Sequence, residues 1–346
     1  MKKKTTIVDV AKRAGVAPST VSHVIHGTAS ISEQTREKVQ KAIDELRYSP
    51  NAIARALRKE RSGLIGVVLQ DISSEFYARC AAAILEEARK DEYVVLFCDA
   101  SFQTENKRKG VEALLQQRVD GILFIGGNDD EDIIELVREQ KIPVLLGDRR
   151  LGELPSVTFD NRTCISEMVC LLYEAGYRRF AYMAEPVSFQ TNLQERYQGY
   201  LDGIGQCEGV ESKVWFDPRL QFEKIQTGHE IFYSYFTSSR PEVILTSNDM
   251  IAEGLVSAAA RYGIRVPEEL GVVGFNDNKV VKYYTPPLTT VAQDTTLFGR
   301  ECYRAFKQLL SFPERKIAKV LPQQIIVRES ARIPEKLREK WRTAEE

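Results

Sequence analysis

The chain has 346 residues, 43% of them hydrophobic and 28% charged, with six cysteines and a net charge of −1. That length suits roughly two or three domains with sizeable cores, and no apolar run reaches the roughly 18 residues that a membrane span needs. The opening Met1-Lys2-Lys3-Lys4 leads into a polar helical pattern in place of an apolar secretory core, so a cytoplasmic location without membrane contact is expected.

The near-neutral total conceals a split: residues 1–61 hold thirteen Lys and Arg against six acids, a net +7, and the rest of the chain carries −8. A small basic module joined to a larger acidic one is the footprint of a protein whose first part meets phosphate. Cys80, Cys98, Cys164, Cys170, Cys207 and Cys302 show no CxxC spacing and mostly sit in apolar runs. They read as reduced core thiols, with no metal site and no cofactor expected.

Thr6-Ile7-Val8-Asp9 offers a hydroxyl cap with an acid three residues on, and Ile7, Val10, Ala11 and Ala14 recur at helical spacing until Gly15. After a short turn, Pro18 suits the first position of a second helix that Gly27 ends, with Val21, Val24 and Ile25 inward. Pro18, Ser19, Thr20, Ser22, His23 and His26 then face outward, a small and hydrogen-bonding surface that a major groove accepts. A third helix follows Ser32, with Val39, Ala42, Ile43 and Leu46 as its apolar stripe. A protein-binding three-helix bundle would use the same spacing.

The next segment, Tyr48-Ser49-Pro50-Asn51-Ala52-Ile53-Ala54-Arg55-Ala56-Leu57-Arg58, can cap and start a helix too short to be stable alone. Arg55 and Arg58 suit phosphates, and Leu57 suits a wedge between base steps. A flexible linker is the alternative.

These residues resemble the LacI/GalR family of bacterial repressors, on Thr6-Ile7-Val8-Asp9-Val10-Ala11, Thr20-Val21-Ser22-His23-Val24-Ile25 and Arg47 to Arg55, with the likeness running over residues 5 to 333. The resemblance implies a homodimer that sets two second helices in successive major grooves of a pseudo-palindromic DNA operator, with Leu57 entering the minor groove between half-sites. The DNA-binding residues it implies are Thr6, Pro18, Ser19, Thr20, Ser22, His23, His26, Asn51, Ala54, Arg55 and Leu57. His26 stands where the family usually has Asn, and Pro18 has no hydrogen-bonding side chain.

Beyond residue 61, apolar runs alternate with amphipathic stretches such as Lys107 to Arg118. The runs are Leu64–Leu69, Tyr93–Phe97, Gly121–Ile125, Pro143–Leu146, Phe180–Met183, Glu242–Leu245 and Gly271–Phe275. Strands this apolar are expected to be buried on both faces of doubly wound parallel sheets, and the gap between residues 160 and 180 separates two lobes.

The fold class is therefore multidomain: an all-α helix-turn-helix headpiece (1–48), a hinge (49–61), a two-lobed α/β domain like periplasmic binding proteins (62–333) and a tail (334–346). The lobes are expected at 62–160 plus 292–322 and at 161–291 plus 323–333. The tail has only Leu337 and Trp341 as sizeable apolar residues, too few for a tetramerising coiled coil.

Ligands of such sheets bind beyond the carboxyl ends of the strands, which points to Asp71–Tyr77, Asp148, Asp160-Asn161, Asn248-Asp249 and Asn276-Asp277. By resemblance, the effector-binding residues are Phe76, Tyr77, Asp148, Phe159, Gln190, Asn192, Arg196, Asn248 and Asn276, the effector being a sugar or related metabolite. Arg196 leads, because guanidinium offers a planar fork to paired oxygens. Asp160, Asp249 and Asp277 stand evenly between ligand contact and helix cap, and Asn276 replaces an acid that is common in the family.

Enzymatic function has little material: there is no GxGxxG after a strand, no GxxxxGK[ST] and no GxSxG, and the histidines are His23, His26 and His229. A cytoplasmic or transport-type binding protein fits the large domain and leaves the basic headpiece unexplained.

Overall fold

The computed structural model describes residues 5–26, 29–48, 61–127, 130–186 and 190–339. The chain divides into two compact units, Met1–Ser62 and Gly63–Glu346.

In the first unit, α1 (Ile7–Ala14), α2 (Pro18–His26) and α3 (Glu33–Leu46) enclose a core of Val10, Ala11, Val21, Val39 and Ala42. Thr6 and Asp9 form a reciprocal capping box at the start of α1, and Gly15 ends it in the left-handed region at φ 68°, a conformation that glycine adopts without steric cost. Ser32 occupies the cap position of α3, but its hydroxyl pairs with Thr35 Oγ1 at 2.9 Å and leaves the helix amides uncapped by its side chain. Arg13 of α1 reaches Glu45 of α3 at 2.5 Å.

The second unit holds two parallel sheets. The first, in the order β11-β5-β4-β3-β1-β2, comprises β1 (Leu64–Leu69), β2 (Val94–Asp99), β3 (Ile122–Ile125), β4 (Val144–Gly147), β5 (Ser156–Phe159) and β11 (Ala318–Leu321). It is flanked by α4 (Glu75–Lys90), α5 (Thr104–Gln116), α6 (Glu131–Glu139) and α11 (Thr295–Ser311). The second sheet, β7-β6-β8-β9, comprises β6 (Arg179–Ala184), β7 (Glu211–Phe216), β8 (Val243–Thr246) and β9 (Gly271–Val273). Its helices are α7 (Asn161–Glu174), α8 (Thr191–Gly205), α9 (Lys224–Ser239) and α10 (Asp249–Arg261).

The chain leaves the first lobe between β5 and α7 and returns between β10 (Thr290–Ala292) and α11. It leaves again between β11 and β12 (Gln324–Ile326), and β10 and β12 pair antiparallel at the hinge. A short helix, α12 (Glu335–Arg338), follows.

One strand expectation is corrected. β2 is an edge strand and is not buried on both faces, since Val94 and Phe97 are exposed. Its neighbour β1 covers one edge only, and among the described residues no strand lies beyond it in the sheet. The strands β5, β7, β10, β11 and β12 were not legible as apolar runs; they mix polar residues and owe their extended form to the strands they pair with.

Candidate functional site

In the headpiece, Thr6, Pro18, Ser19 and His23 are exposed and Thr20 is half-buried. Ser22 departs from its expected outward position: it is 7% exposed, because it falls at the margin of the stripe made by Val21, Val24 and Ile25, where the neighbouring helices cover it. The side chain of His26, and the residues Asn51, Ala54, Arg55 and Leu57, lie outside the described residues. The face that α2 presents is therefore Pro18, Ser19 and His23, with exposed Lys12 and Arg13 on the neighbouring α1.

In the α/β unit, the carboxyl ends of both sheets frame one cleft. Phe76 and Tyr77, in the first turn of α4, meet edge to face at 5.1 Å between ring centroids and wall it on one side. Burial raises the Tyr77 hydroxyl above its ordinary range. Asp148 follows β4 with φ at 55° and accepts 2.6 Å from Asn192 Nδ2 of α8, across the cleft. Its Oδ1 is buried with no hydrogen-bond partner among the described residues. Desolvation pushes its carboxyl up to about 6, with Arg196 and the Asn192 bond opposing that rise.

Arg196, one helical turn beyond Asn192, is 4% exposed. Its Nε donates to Asn161 Oδ1 at 3.1 Å and its Nη1 to the Ser247 carbonyl at 2.7 Å. Its guanidinium carbon lies 3.8 Å from the centroid of the Phe275 ring. A buried cation is tolerable only with such partners, and these hold the guanidinium plane at the cleft wall.

Asn248 caps α10 by accepting from Ile251 N at 3.0 Å, and its Nδ2 reaches Glu185 Oε1 at 3.2 Å. Asn276, at φ 115°, donates to Gln293 Oε1 of the hinge at 2.5 Å. Gln190 also lines the cleft.

Phe159 does not line it. It is 1% exposed and stacks on Phe298 at 4.9 Å, behind Phe76. The sequence places it next to the hinge, but β5 turns its ring into the first-lobe core. Of the acids left open, Asp160 caps α7 by accepting from Thr163 N at 3.2 Å, and Asp277 pairs with Arg328 at 2.7 Å. Asp249 is fully buried, accepts from Thr290 Oγ1 at 2.6 Å and Asn278 N at 2.7 Å, and is pushed up to about 7 by desolvation.

Two charged groups of the cleft were missed. Glu185 is buried, accepts from Ser247 and Asn248, and lies 3.5 Å from Lys224 Nζ, which sits 5.0 Å from the Phe102 ring centroid. Glu185 directly follows β6, so the rule that found Asp148 would have found it; Lys224 and Phe102 carried no signal.

The free volume of the cleft is about 60 Å³, far below the roughly 300 Å³ at which ordinary ligand pockets begin. An open groove of about 690 Å³, lined by Tyr177, Glu242, Glu329, Arg332 and Arg338 among others, lies at the amino ends of β6 and β8. It gathers none of the polar groups that follow the strands' carboxyl ends, where ligands of such sheets bind, and the smaller cleft is the better candidate. Among the described residues no helix is long and apolar enough to cross a membrane, and no group of His, Cys, Asp and Glu could hold a metal ion.

A basic helix-turn-helix unit carried on a two-lobed α/β unit defines a DNA-binding transcription regulator. Residues 6–51 match the bacterial regulatory proteins of the lacI family, and residues 169–331 match the periplasmic binding protein-like domain. The chain is 31% identical to the HTH-type transcriptional regulator RegA of Clostridium saccharobutylicum, over 94% of this chain and 99% of that one. It is 32% identical to DegA of Bacillus subtilis, over 94% and 98%. The lac repressor dimer bound to operator and the anti-inducer ONPF superposes with a TM-score of 0.81 at 28% identity, covering 95% of this chain and 99% of that one. The chain belongs to the LacI family.

Proposed function

We propose that the chain is a cytoplasmic, homodimeric repressor that has no catalytic activity of its own and whose grip on a pseudo-palindromic operator is set by a sugar or related metabolite bound between the lobes. The observation that carries this reading is the meeting, in one cleft, of Asp148 from the first lobe with Asn192 and Arg196 from the second. A polyhydroxylated ligand would supply the donor that Asp148 Oδ1 lacks and acceptors for the Arg196 fork, with Phe76 and Tyr77 against its apolar face. Asn248, Asn276 and Gln190 would complete the polar wall.

Pro18, Ser19 and His23 are the base-facing candidates: Pro18 suits a thymine methyl, and His23 and Ser19 suit base-edge acceptors. Thr20 is placed nearer the DNA backbone by family likeness, with Thr6 among the DNA-binding residues. Leu57 is assigned the minor-groove wedge by the same likeness, with Asn51 nearer the DNA backbone, Arg55 on phosphate and Ala54 among the DNA-binding residues. Val94, Phe97 and the 76% exposed Tyr283 are apolar groups that a second copy would cover, as the dimeric state of the lac repressor supports. Lobe closure on ligand would then change the separation of the two hinge segments.

The test is binding of the purified chain to its own promoter fragments and to random DNA of equal length at moderate salt, with and without metabolites found by thermal shift among sugars, sugar phosphates and nucleobases. Preference for one fragment, altered by one metabolite, is expected. Equal affinity for all fragments under every condition overturns the reading.

A further inference from the structure

Helices α7 and α8 of the second lobe pack along a seam that repeats every four residues. A Cβ on Gly199 would stand 2.3 Å from the Arg162 backbone oxygen, and one on Gly203 would stand 3.0 Å from that of Ser166. Only glycine permits so close a backbone approach. Both pairs, 162 with 199 and 166 with 203, have the same offset in sequence, and one further turn sets Cys170 against Cys207. The turn continues past the end of α8, since Cys207 N donates to the Ile204 carbonyl at 3.0 Å.

The two thiols are close enough for each to act on the other's titration. Cys207 Sγ also donates to the Gly203 carbonyl at 3.2 Å, and Cys170 Sγ lies 3.9 Å from Gln206 Oε1. Bridged cysteines need Cα atoms roughly 4.4–6.8 Å apart, a spacing that the glycine-lined seam can supply. Neither cysteine has a role in the cleft or in the DNA-reading face.

We propose that Cys170 and Cys207 form a modification site, a dithiol that a hydroperoxide converts reversibly into an intramolecular disulfide. Cys170, half-buried and the more accessible, attacks the peroxide as thiolate; the O–O bond breaks, its distal fragment leaves as alcohol or water, and Cys170 becomes a sulfenic acid. The Cys207 sulfur then attacks the Cys170 sulfur, the S–O bond breaks, and water leaves with the thiol proton. Two electrons pass from the thiols to the peroxide, and a dithiol reductant reverses the change.

Cys80 and Cys302 also lie near each other, but both are fully buried in the first-lobe core and out of reach of an oxidant. The bridge would pin the far end of the helix pair whose near end holds Asn161 and Arg196 together at 3.1 Å. Burial pushes Cys207 up to about 11 and raises Cys170, so the reaction is slow near neutrality and quickens as pH rises.

The experiment treats the purified full-length chain with hydrogen peroxide at two pH values one unit apart, blocks free thiols with iodoacetamide, and maps peptides without reduction. A single Cys170–Cys207 link is expected, removed by dithiothreitol, forming about tenfold faster at the higher pH. The oxidised chain should melt several degrees above the reduced one. Cys170→Ser and Cys207→Ser should abolish both the link and the shift, and Cys170→Ala, which keeps the seam apolar, should do the same. Sulfinic acid on Cys170 with Cys207 still alkylated, links between chains or among other cysteines, or an unmodified pair, would each overturn the assignment.

Discussion

Replacing Asp148 by Asn should stabilise the protein at neutral pH. The Asp148 carboxyl is pushed from its ordinary 3.8 up to about 6 in the folded chain, chiefly by desolvation. A folded value raised above the unfolded one means that the protonated acid is the form folding favours. The associated stability is complete below pH 4 and is lost as pH rises through about 6. A rise of about two pH units corresponds to roughly 3 kcal/mol of penalty at pH 7.5.

Asn has nearly the same shape, never ionises, and its carbonyl can still accept from Asn192. Urea unfolding followed by Trp215 fluorescence should therefore show Asp148→Asn matching the native chain near pH 4. The variant should then exceed it progressively to about 2–3 kcal/mol at pH 7.5, or roughly 3–5 °C in melting temperature for a unit of this size. Asp249, pushed up to about 7, tilts both proteins alike and cancels in the difference. A variant no more stable than the native chain at pH 7.5, or an advantage independent of pH, would refute the reasoning. A buried carboxylate with one oxygen unpaired, kept at the expense of stability, is what the proposed ligand site would require.

Arg196→Ala should abolish the change in DNA affinity caused by an effector and leave basal DNA affinity near normal, and undiminished effector binding by calorimetry would remove Arg196 from the site. Asp130→Ala removes the carboxylate that Lys107 and Arg149 share at 2.8 and 2.7 Å in the first-lobe interior. It should cost about 3–5 kcal/mol of stability by urea unfolding. Gly199→Ala forces a Cβ to 2.3 Å from the Arg162 backbone oxygen, so α7 and α8 must separate, at about 1–3 kcal/mol. His23→Ala should weaken binding to the operator more than to random DNA, by about 1–3 kcal/mol in the ratio measured by competition anisotropy.

Features written in consecutive residues could be read directly. The Thr6–Asp9 box, the Gly15 stop and the Pro18 start are local hydrogen-bonding and φ preferences, and they appear in the fold where the spacing places them. The strands rich in Val, Ile and Leu, such as Leu64–Leu69 and Ile122–Ile125, announce burial by composition alone. By contrast Ala318–Leu321 and Gln324–Ile326 are only four and three residues long, each with one polar residue, and become strands because β5 and β10 offer backbone partners. Ser22 and Phe159 illustrate the same limit for side chains. Each has the right chemistry and the right neighbours in sequence for a contact surface, yet packing turns each inward.

By itself, the sequence determined the helical headpiece, the alternation of strand and helix and the asymmetric charge, because these rest on composition and short-range periodicity; Asp148 and Arg196 are singled out by likeness to the family. Only the tertiary structure decided that Asn192 would cross the cleft to Asp148, that Lys224 would come to Glu185 there, and that Cys170 would lie beside Cys207 along a glycine seam. Those pairs are dozens of residues apart, and their distances are set by how helices and sheets close on each other, a long-range balance of burial and chain entropy that no local pattern encodes.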